Sequence, residues 1–201
     1  MEHPTRRVLI RTGIVGTIAA AAGAAALSGS GTADADPLAG RHSDAAFLYR
    51  IAAIEQLIVF AYEHVIAHIP LSAAAAATVR DFAAHEREHV RLLSKALSDL
   101  GHAPPPAPTN VDSVSHQLAA LHGSGSLTSF AHQVGALEYL IGIETLAESA
   151  YYSATSKFSN PSLTALAAGI LGCEAQHWSS LNQLLHPGDV LQSDPYSTVH
   201  G

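Results

Sequence analysis

Residues 54–62 read Ile-Glu-Gln-Leu-Ile-Val-Phe-Ala-Tyr, and residues 143–151 read Ile-Glu-Thr-Leu-Ala-Glu-Ser-Ala-Tyr. Ile, Glu, Leu, Ala and Tyr stand at the same five places in both stretches. In and around each stretch the apolar residues recur every three or four positions, which is the spacing of one face of an α-helix. The sequence therefore predicts two related helices, each with a glutamate on its apolar face.

Each of these stretches is followed by a Glu-x-x-His motif. Residues 86–89 read Glu-Arg-Glu-His and begin 31 residues after Glu55, and residues 174–177 read Glu-Ala-Gln-His and begin 30 residues after Glu144. Residues three apart on a helix are neighbours on its surface, so the glutamate and the histidine of one motif can reach the same ion. One such motif often occurs by chance on a solvated helix face, but two at matched distances indicate one site built from two halves.

The composition favours a helical domain and excludes some classes of function. The chain has 201 residues, enough for one domain, and 48% of them are hydrophobic. Alanine, the strongest helix former, is abundant, which favours an all-α fold. The formal net charge of -7 argues against a nucleic-acid partner, because phosphate binding needs a basic surface. The single cysteine, Cys173, excludes an internal disulfide.

Apolar periodicity predicts four helices in the chain beyond its N-terminal segment. They are expected at about residues 43–68, 73–100, 127–157 and 161–186. Ser72 and Asn160 are suitable N-cap residues, because their side chains can accept hydrogen bonds from N–H groups at the start of a helix. Pro161 fits the first position of a helix, and Gly101 fits the left-handed position after a helix end.

The lengths of the connections predict how these helices are arranged. Only a few residues join the first helix to the second and the third to the fourth, so each pair must form an antiparallel hairpin. About 25 residues separate the second helix from the third, and they include a Pro-rich stretch, 102–110, and a short amphipathic segment, 112–121. A connection of this length can cross the whole bundle. The predicted fold is therefore an all-α four-helix bundle of two antiparallel hairpins joined by a long crossover.

Six glutamate and histidine side chains are predicted on the inner faces of these helices. They are Glu55, Glu86, His89, Glu144, Glu174 and His177. Unpaired carboxylates in an apolar core are very costly, and four of them in one place would also repel one another. Two divalent or trivalent cations would remove both costs, and carboxylate oxygens with imidazole nitrogens suit iron or manganese. We therefore expect these residues to bind two Fe or Mn ions.

Three further residues near this site have two interpretations each. Glu148 lies one turn after Glu144, where the first half of the repeat has an apolar residue. It is either an additional metal ligand or an outward-facing carboxylate. Tyr62 and Tyr151 lie two turns from Glu55 and Glu144 and either donate hydrogen bonds to ligand carboxylates, in support of catalysis, or are core aromatic residues.

Three polar residues adjoin the motifs without sharing their inward face. His85 and Glu88 point away from the apolar stripe of the second helix and are predicted to be surface groups. Cys173 precedes Glu174 but is off the ligand face, where a buried and unreactive thiol is the usual case. None of the three is expected to take part in the metal site.

On the repeat and its motifs, the sequence resembles the ferritin-like domain proteins of the di-iron/di-manganese carboxylate superfamily, and in particular the exported bacterial group. The resemblance covers about residues 43–187. In that superfamily a glutamate from each of two helices and a Glu-x-x-His motif from each of the other two bind the metals. The resemblance implies that Glu55 and Glu144 are bridging or terminal carboxylates. It does not fix the reaction, because members include ferroxidases, peroxide reductases, manganese catalases and oxygenases.

The N-terminal segment is predicted to be an export signal. Two adjacent arginines precede an uncharged run rich in alanine and glycine at residues 12–26, a pattern that resembles a twin-arginine signal peptide. The run is shorter than the roughly 20 residues that span a bilayer, so cleavage after Ala35 is preferred to a retained anchor. Export through the twin-arginine translocase would deliver the chain to the periplasm, the cell envelope or the medium. The expected domains are a signal peptide at 1–35 and a four-helix domain at 36–201.

The expected function is oxidation-reduction at a dinuclear iron or manganese centre outside the cytoplasm. Fe(II) oxidation by O2 or H2O2 and peroxide removal are the two reactions considered. The alternative is a non-catalytic metal-binding bundle that acts in stress protection or as a binding partner, with the metal as a structural clamp. Ala-rich helix faces are compatible with a homodimer, although the sequence identifies no interface.

Overall fold

The computed structural model describes residues 37–121 and 123–189. Within these ranges it contains five helices and no strand. The helices are α1 (Pro37–His68), α2 (Ala73–Asp99), α3 (Val111–Ala120), α4 (Gln133–Thr155) and α5 (Pro161–Leu185). The predicted all-α class is confirmed, and the short amphipathic segment of the crossover forms α3.

Two antiparallel hairpins, α1–α2 and α4–α5, pack against each other as a four-helix bundle. Helix α1 packs on α4, and α2 packs on α5. The first of these contacts is antiparallel, because Tyr62 lies beside Glu144 while Glu55, two turns earlier in α1, lies beside Tyr151, two turns later in α4. The crossover carries α3 along α1. The predicted arrangement of two hairpins joined by a long crossover is confirmed.

Capping residues and a glycine that were predicted from the sequence lie at several helix ends. The Ser72 side chain accepts a hydrogen bond from Ala75 N–H (3.3 Å) ahead of α2, and the Asn160 side chain accepts one from Ser162 N–H (2.9 Å) ahead of α5. Gly101 follows α2 with a φ of 82°, a left-handed conformation that glycine adopts without a Cβ clash. Ser72 and Asn160 thus lie in the short turns of the two hairpins, whereas Gly101 ends α2 ahead of the crossover.

Two predicted helix starts are wrong. Helix α4 begins at Gln133, six residues later than predicted, because Ser126 accepts hydrogen bonds from the residues that follow it and holds a turn there. Local bonds of this kind compete with the hydrogen-bond ladder of a helix. Helix α1 begins at Pro37 rather than Ser43, and proline is well suited to a first helical position. The predicted export signal, residues 1–35, lies outside the described residues.

Helix α1 contributes a large share of the hydrophobic core. Its segment Ser43–His68 is long and apolar enough to cross a membrane by length and composition, yet more than half of its apolar window is buried in the bundle. Leu48 and Leu57 are fully buried and belong to one core cluster with Leu140 of α4 and Leu181 of α5. The apolar character of α1 is thus accounted for by packing, as is typical of a core helix.

Asp44 ties the beginning of α1 to the turn between α4 and α5. Its side chain is buried, and its two carboxylate oxygens accept three hydrogen bonds. Ser159 donates from its N–H and from its hydroxyl, both at 2.8 Å, and Asn160 N–H donates at 3.1 Å. The buried carboxylate is tolerated because these donors replace the water it has lost.

We expect Asp44→Ala to lower the free energy of unfolding by about 2 kcal/mol, because the change removes the charged acceptor of three hydrogen bonds donated by Ser159 and Asn160. Urea unfolding followed by circular dichroism measures the loss. Asp81→Ala, at an exposed aspartate of α2, is the matched control and should change the stability by less than about 0.5 kcal/mol. Equal stability of Asp44→Ala and the unaltered protein would contradict the role given to Asp44.

Candidate metal centre

Each of the four long helices carries a glutamate that is completely removed from solvent. Glu55 of α1, Glu86 of α2, Glu144 of α4 and Glu174 of α5 all have an exposed fraction of 0%. The histidines of the two Glu-x-x-His motifs are buried with them. These side chains point inward because each shares a helical stripe with residues of the apolar core. The structure therefore brings together all six predicted ligand residues.

The six side chains form two overlapping groups, in each of which the ligand atoms lie within 4.8 Å of one another. Glu55 and His89 complete one group, and Glu144 and His177 complete the other. The residues shared by both groups are the glutamates of the two motifs, Glu86 and Glu174. Two ions could therefore lie side by side, with the shared glutamates between them and one glutamate and one histidine at each end.

The two groups are related by the internal repeat. His89 Nδ1 lies 2.9 Å from Glu174 Oε1, and His177 Nδ1 lies 2.7 Å from Glu86 Oε1, so each histidine approaches the glutamate of the other motif. Within its own motif, His89 Nδ1 lies 3.2 Å from Glu86 Oε2, and His177 Nδ1 lies 3.5 Å from Glu174 Oε2. Because α2 and α5 pack antiparallel, the histidine of each motif lies beside the glutamate of the other motif. The site therefore has the approximate twofold symmetry that the repeat implies.

Two buried tyrosines link the halves of the repeat at the same centre. The Tyr62 hydroxyl donates to Glu144 Oε1, and the Tyr151 hydroxyl donates to Glu55 Oε1. Both side chains have an exposed fraction of 0%. Of the two interpretations of these tyrosines, the structure shows the donor arrangement, and each donor comes from the opposite hairpin. The hydrogen bonds fix the orientation of both carboxylates.

Burial and mutual repulsion divide the four glutamates into two kinds. Burial raises the pKa of Glu55 and Glu144 well above 4.5, and the charges of Glu174 and Glu86 raise it further. Burial acts in the same direction on Glu174, but the close approach of the motif histidines outweighs it and lowers its pKa to about 2. The same balance lowers the pKa of Glu86. Without a cation, Glu86 and Glu174 are therefore the more acidic pair, and Glu55 and Glu144 are the more readily protonated pair.

The histidines are the positive partners of the ionised glutamates. Burial alone would lower the pKa of His177, but the nearby carboxylates of Glu144, Glu174 and Glu86 raise it to about 12. The pKa of His89 is raised by the same kind of balance. Two imidazolium groups thus face two carboxylates when no metal is bound. Because imidazole binds a metal through an unprotonated nitrogen, a cation that enters this cluster must displace protons.

Several buried ligand atoms have no hydrogen-bond partner among the described residues. They are Glu55 Oε2, Glu86 Oε1, Glu144 Oε2, both carboxylate oxygens of Glu174, and His177 Nδ1. Unsatisfied buried polar atoms are costly, and coordination to a metal would satisfy them. His177 Nδ1 and Glu86 Oε1 lie 2.7 Å apart without the geometry of a hydrogen bond, and metal–ligand bonds of about 2.1 Å place neighbouring ligand atoms at about 3 Å. The residues present therefore fit two oxygen- and imidazole-bound cations such as iron or manganese.

A family model described as the ferritin-like domain matches residues 42–187. The chain belongs to the ferritin-like domain family. The match takes in most of α1, all of the other four helices and every residue of the metal centre. No curated protein is similar enough to the chain to count as a match.

Solved structures that share the ferritin-like fold come from several bacteria. A dodecameric thioferritin of Bacteroides fragilis has a TM-score of 0.60 and 18% identity, over 72% of this chain and 85% of its own. A ferritin-like, diiron-carboxylate protein of Bacillus anthracis has a TM-score of 0.60 and 17% identity, over 73% and 98%. A Dps protein of Microbacterium arborescens, in its high iron form, has a TM-score of 0.61 and 16% identity, over 75% and 97%. At these identities the likeness shows the fold alone.

Glu148 of the ferritin-like domain is buried beside the metal centre but belongs to neither ligand group. Its exposed fraction is 6%, so it does not face outward as one interpretation of the sequence had it. Its Oε1 has no hydrogen-bond partner in the described part of the chain. Burial, together with the charge of Glu174, raises the pKa of Glu148 to about 7. Its role as a further metal ligand stays a prediction.

The structure corrects the interpretation of two residues next to the motifs. His85 is exposed, as predicted, but its Nδ1 lies 3.1 Å from His177 Nε2. Cys173 is half-buried rather than buried, and its Sγ lies 3.4 Å from the same nitrogen. Both residues stand one position before the glutamate of their motif. This equivalent place in the two halves of the repeat could have indicated from the sequence that both lie near the site.

Glu148 makes the stability of the metal-free protein depend on pH. Because its folded pKa is raised from 4.5 to about 7, the protonated side chain contributes stability below about pH 4.5, and this contribution is lost as the pH rises through about 7. We expect the unaltered protein to lose about 2 kcal/mol more than Glu148→Gln between about pH 5 and about pH 8. Urea unfolding of the metal-free proteins at both pH values measures this difference.

Glu138→Gln is the control for the Glu148 experiment, since Glu138 is an exposed glutamate of the same helix. It should follow the pH dependence of the unaltered protein. If Glu148→Gln also follows that dependence, the raised pKa of Glu148 is refuted.

Proposed function

We propose that the two ligand groups hold two Fe or Mn ions and that the protein catalyses oxidation-reduction, either Fe(II) oxidation by O2 or H2O2 or the removal of peroxide. The observation that carries this proposal is the pair of shared glutamates, Glu86 and Glu174, flanked on each side by one further glutamate and one histidine. One structural ion would need only one such group. The duplicated set matches two ions that share the same carboxylates.

The side chains of the centre divide into a shared pair and two ends. Glu86 and Glu174 would be shared by the two ions, and the pairs Glu55–His89 and Glu144–His177 would each complete the ligands of one ion. When bound, the ions supply the redox equivalents and the coordination positions for the oxidant. The four carboxylates would balance the charge of the ions in surroundings from which the packed core excludes water.

The buried side chain of Glu148 is suited to hold and release the protons that the reaction consumes. Reduction of O2 or H2O2 to water consumes protons, and a group with a pKa near the ambient pH can hold and release them. The pKa of Glu148 is about 7, and this side chain is buried beside the centre. Tyr62 and Tyr151 keep Glu144 and Glu55 in place through their hydrogen bonds.

The solved relatives support the choice of iron and the proposal of an assembly. The Bacillus anthracis protein is described as a diiron-carboxylate protein, and the Dps protein is in a high iron form. The Bacteroides fragilis thioferritin is dodecameric. On these likenesses we favour iron over manganese and propose that copies of this chain associate, with a homodimer as the smallest assembly.

We further propose that the reaction takes place outside the cytoplasm. The two adjacent arginines and the uncharged run that follows them are typical of a substrate of the twin-arginine translocase. That route carries folded proteins, so the ions could be inserted before export. The mature domain would then begin at residue 36.

Metal loading followed by oxidant uptake tests the proposed function. We expect the full chain, stripped of metal and loaded without air, to bind two equivalents of Fe(II) or Mn(II), and the Fe(II) form to consume O2 or H2O2. Glu86→Gln removes a shared charge and should lower metal affinity and oxidant consumption at least about 10-fold. The matched control is Glu88→Gln, at an exposed position two residues away on α2, which should leave both unchanged. Metal analysis and an oxygen or peroxide electrode provide the measurements.

Two outcomes would count against the proposal. Failure to bind more than one equivalent of Fe(II) or Mn(II) would remove the dinuclear centre. Two bound equivalents with no consumption of O2 or H2O2 would favour the alternative, a non-catalytic bundle with a structural metal clamp.

A further inference from the structure

We propose that His85, Cys173 and His177 form an outer metal site, which adjoins the buried centre and shares His177 with it, on the side where α2 meets α5. Its ligand would be a divalent cation that accepts thiolate and imidazole, of the class to which Zn(II) and Co(II) belong. This site goes beyond the proposed oxidation-reduction function and does not depend on it.

The three ligand atoms have the spacing of a single coordination sphere. His85 Nδ1 lies 3.1 Å from His177 Nε2, Cys173 Sγ lies 3.4 Å from His177 Nε2, and all three atoms lie within 4.8 Å of one another. In a tetrahedral site with bonds of about 2.0 Å to nitrogen and about 2.3 Å to sulfur, two nitrogens lie about 3.3 Å apart and nitrogen and sulfur about 3.5 Å apart. The two distances to His177 Nε2 match these values, and His85 Nδ1 and Cys173 Sγ lie within 4.8 Å of each other on either side of that nitrogen.

The outer site differs from the buried centre in its donors and its access. A thiolate with two imidazoles selects softer cations than the carboxylate-rich centre does, and zinc is bound more tightly than iron or manganese by most such donor sets. His85 is exposed, Cys173 is half-buried and His177 is 1% exposed, so the three residues lead from solvent to the edge of the centre. An ion held by three side chains has a fourth position free for water.

His177 belongs to both sites through different nitrogens. Its Nδ1 faces Glu86 at 2.7 Å in the buried centre, whereas its Nε2 faces His85 and Cys173. The ring of Phe82 stacks on the imidazole at a centroid distance of 4.0 Å and holds its plane. A neutral imidazole has only one unprotonated nitrogen. An ion in the outer site therefore competes for His177 with the buried ion next to it.

The same contacts would also arise if His85 and Cys173 only accepted a hydrogen bond from His177 and oriented its ring. That arrangement needs no metal and predicts no bond between Cys173 and a cation. A probe that reports a metal–sulfur bond directly distinguishes the two, and Co(II) is suitable because thiolate ligation gives an intense charge-transfer absorption in the near ultraviolet.

We expect Co(II), added to the reduced and metal-free full chain, to develop this thiolate absorption with one equivalent per chain. The absorption should be absent in Cys173→Ser, and His85→Ala should weaken the binding that produces it at least about 10-fold. His116→Ala, at an exposed histidine of α3, is the control and should behave like the unaltered protein. Circular dichroism of each variant verifies the fold.

Absence of the thiolate absorption in the unaltered protein would overturn the outer site, as would an absorption that His85→Ala leaves unchanged. The test distinguishes the outer site from the dinuclear centre, because Cys173→Ser removes the outer site and keeps every ligand of the buried one. If Cys173→Ser still binds two equivalents of Mn(II) while the unaltered protein shows no thiolate absorption, the outer site fails and the proposed centre stands.

Discussion

Four buried glutamates lie together in the middle of an apolar bundle, and each of the four long helices contributes one of them. Each carboxylate has lost its water, and their charges repel one another, so the cluster can exist only with positive partners inside it. In the absence of metal, the two motif histidines supply those charges, and the raised pKa of Glu55 and Glu144 favours their protonated forms. Bound cations would take over this role and release the protons.

The fold brings six candidate ligands from two hairpins to one place. Each hairpin carries one helical glutamate and one Glu-x-x-His motif, and neither half alone has a complete group of ligands. The long crossover allows the hairpins to pack so that α1 meets α4 and α2 meets α5. Tyr62 and Tyr151 then reach across to the glutamate of the other hairpin, so the halves are joined at the site as well as through the core.

Much of the fold and of the candidate site could be predicted from the sequence, because the internal repeat indicates both the two hairpins and the ligand residues on them. Helical periodicity placed the ligands on inner faces, and the connection lengths determined which helices are neighbours. The start of α4 was missed because Ser126 forms local hydrogen bonds that apolar periodicity does not reveal. The position of His85 was missed for a different reason: helix α5 comes close enough for an exposed side chain of α2 to reach His177, and interhelical distance is not encoded in the periodicity of one helix.

We propose that two metal ions bind at the centre, and that both are held by the shared glutamates and each by one motif histidine. Anomalous diffraction from crystals loaded with Fe(II) or Mn(II), recorded at the absorption edge of the metal, tests it most directly. We expect two peaks, one beside His89 and one beside His177, both next to Glu86 and Glu174. No peak at this position, or a single ion there after saturation, would contradict it.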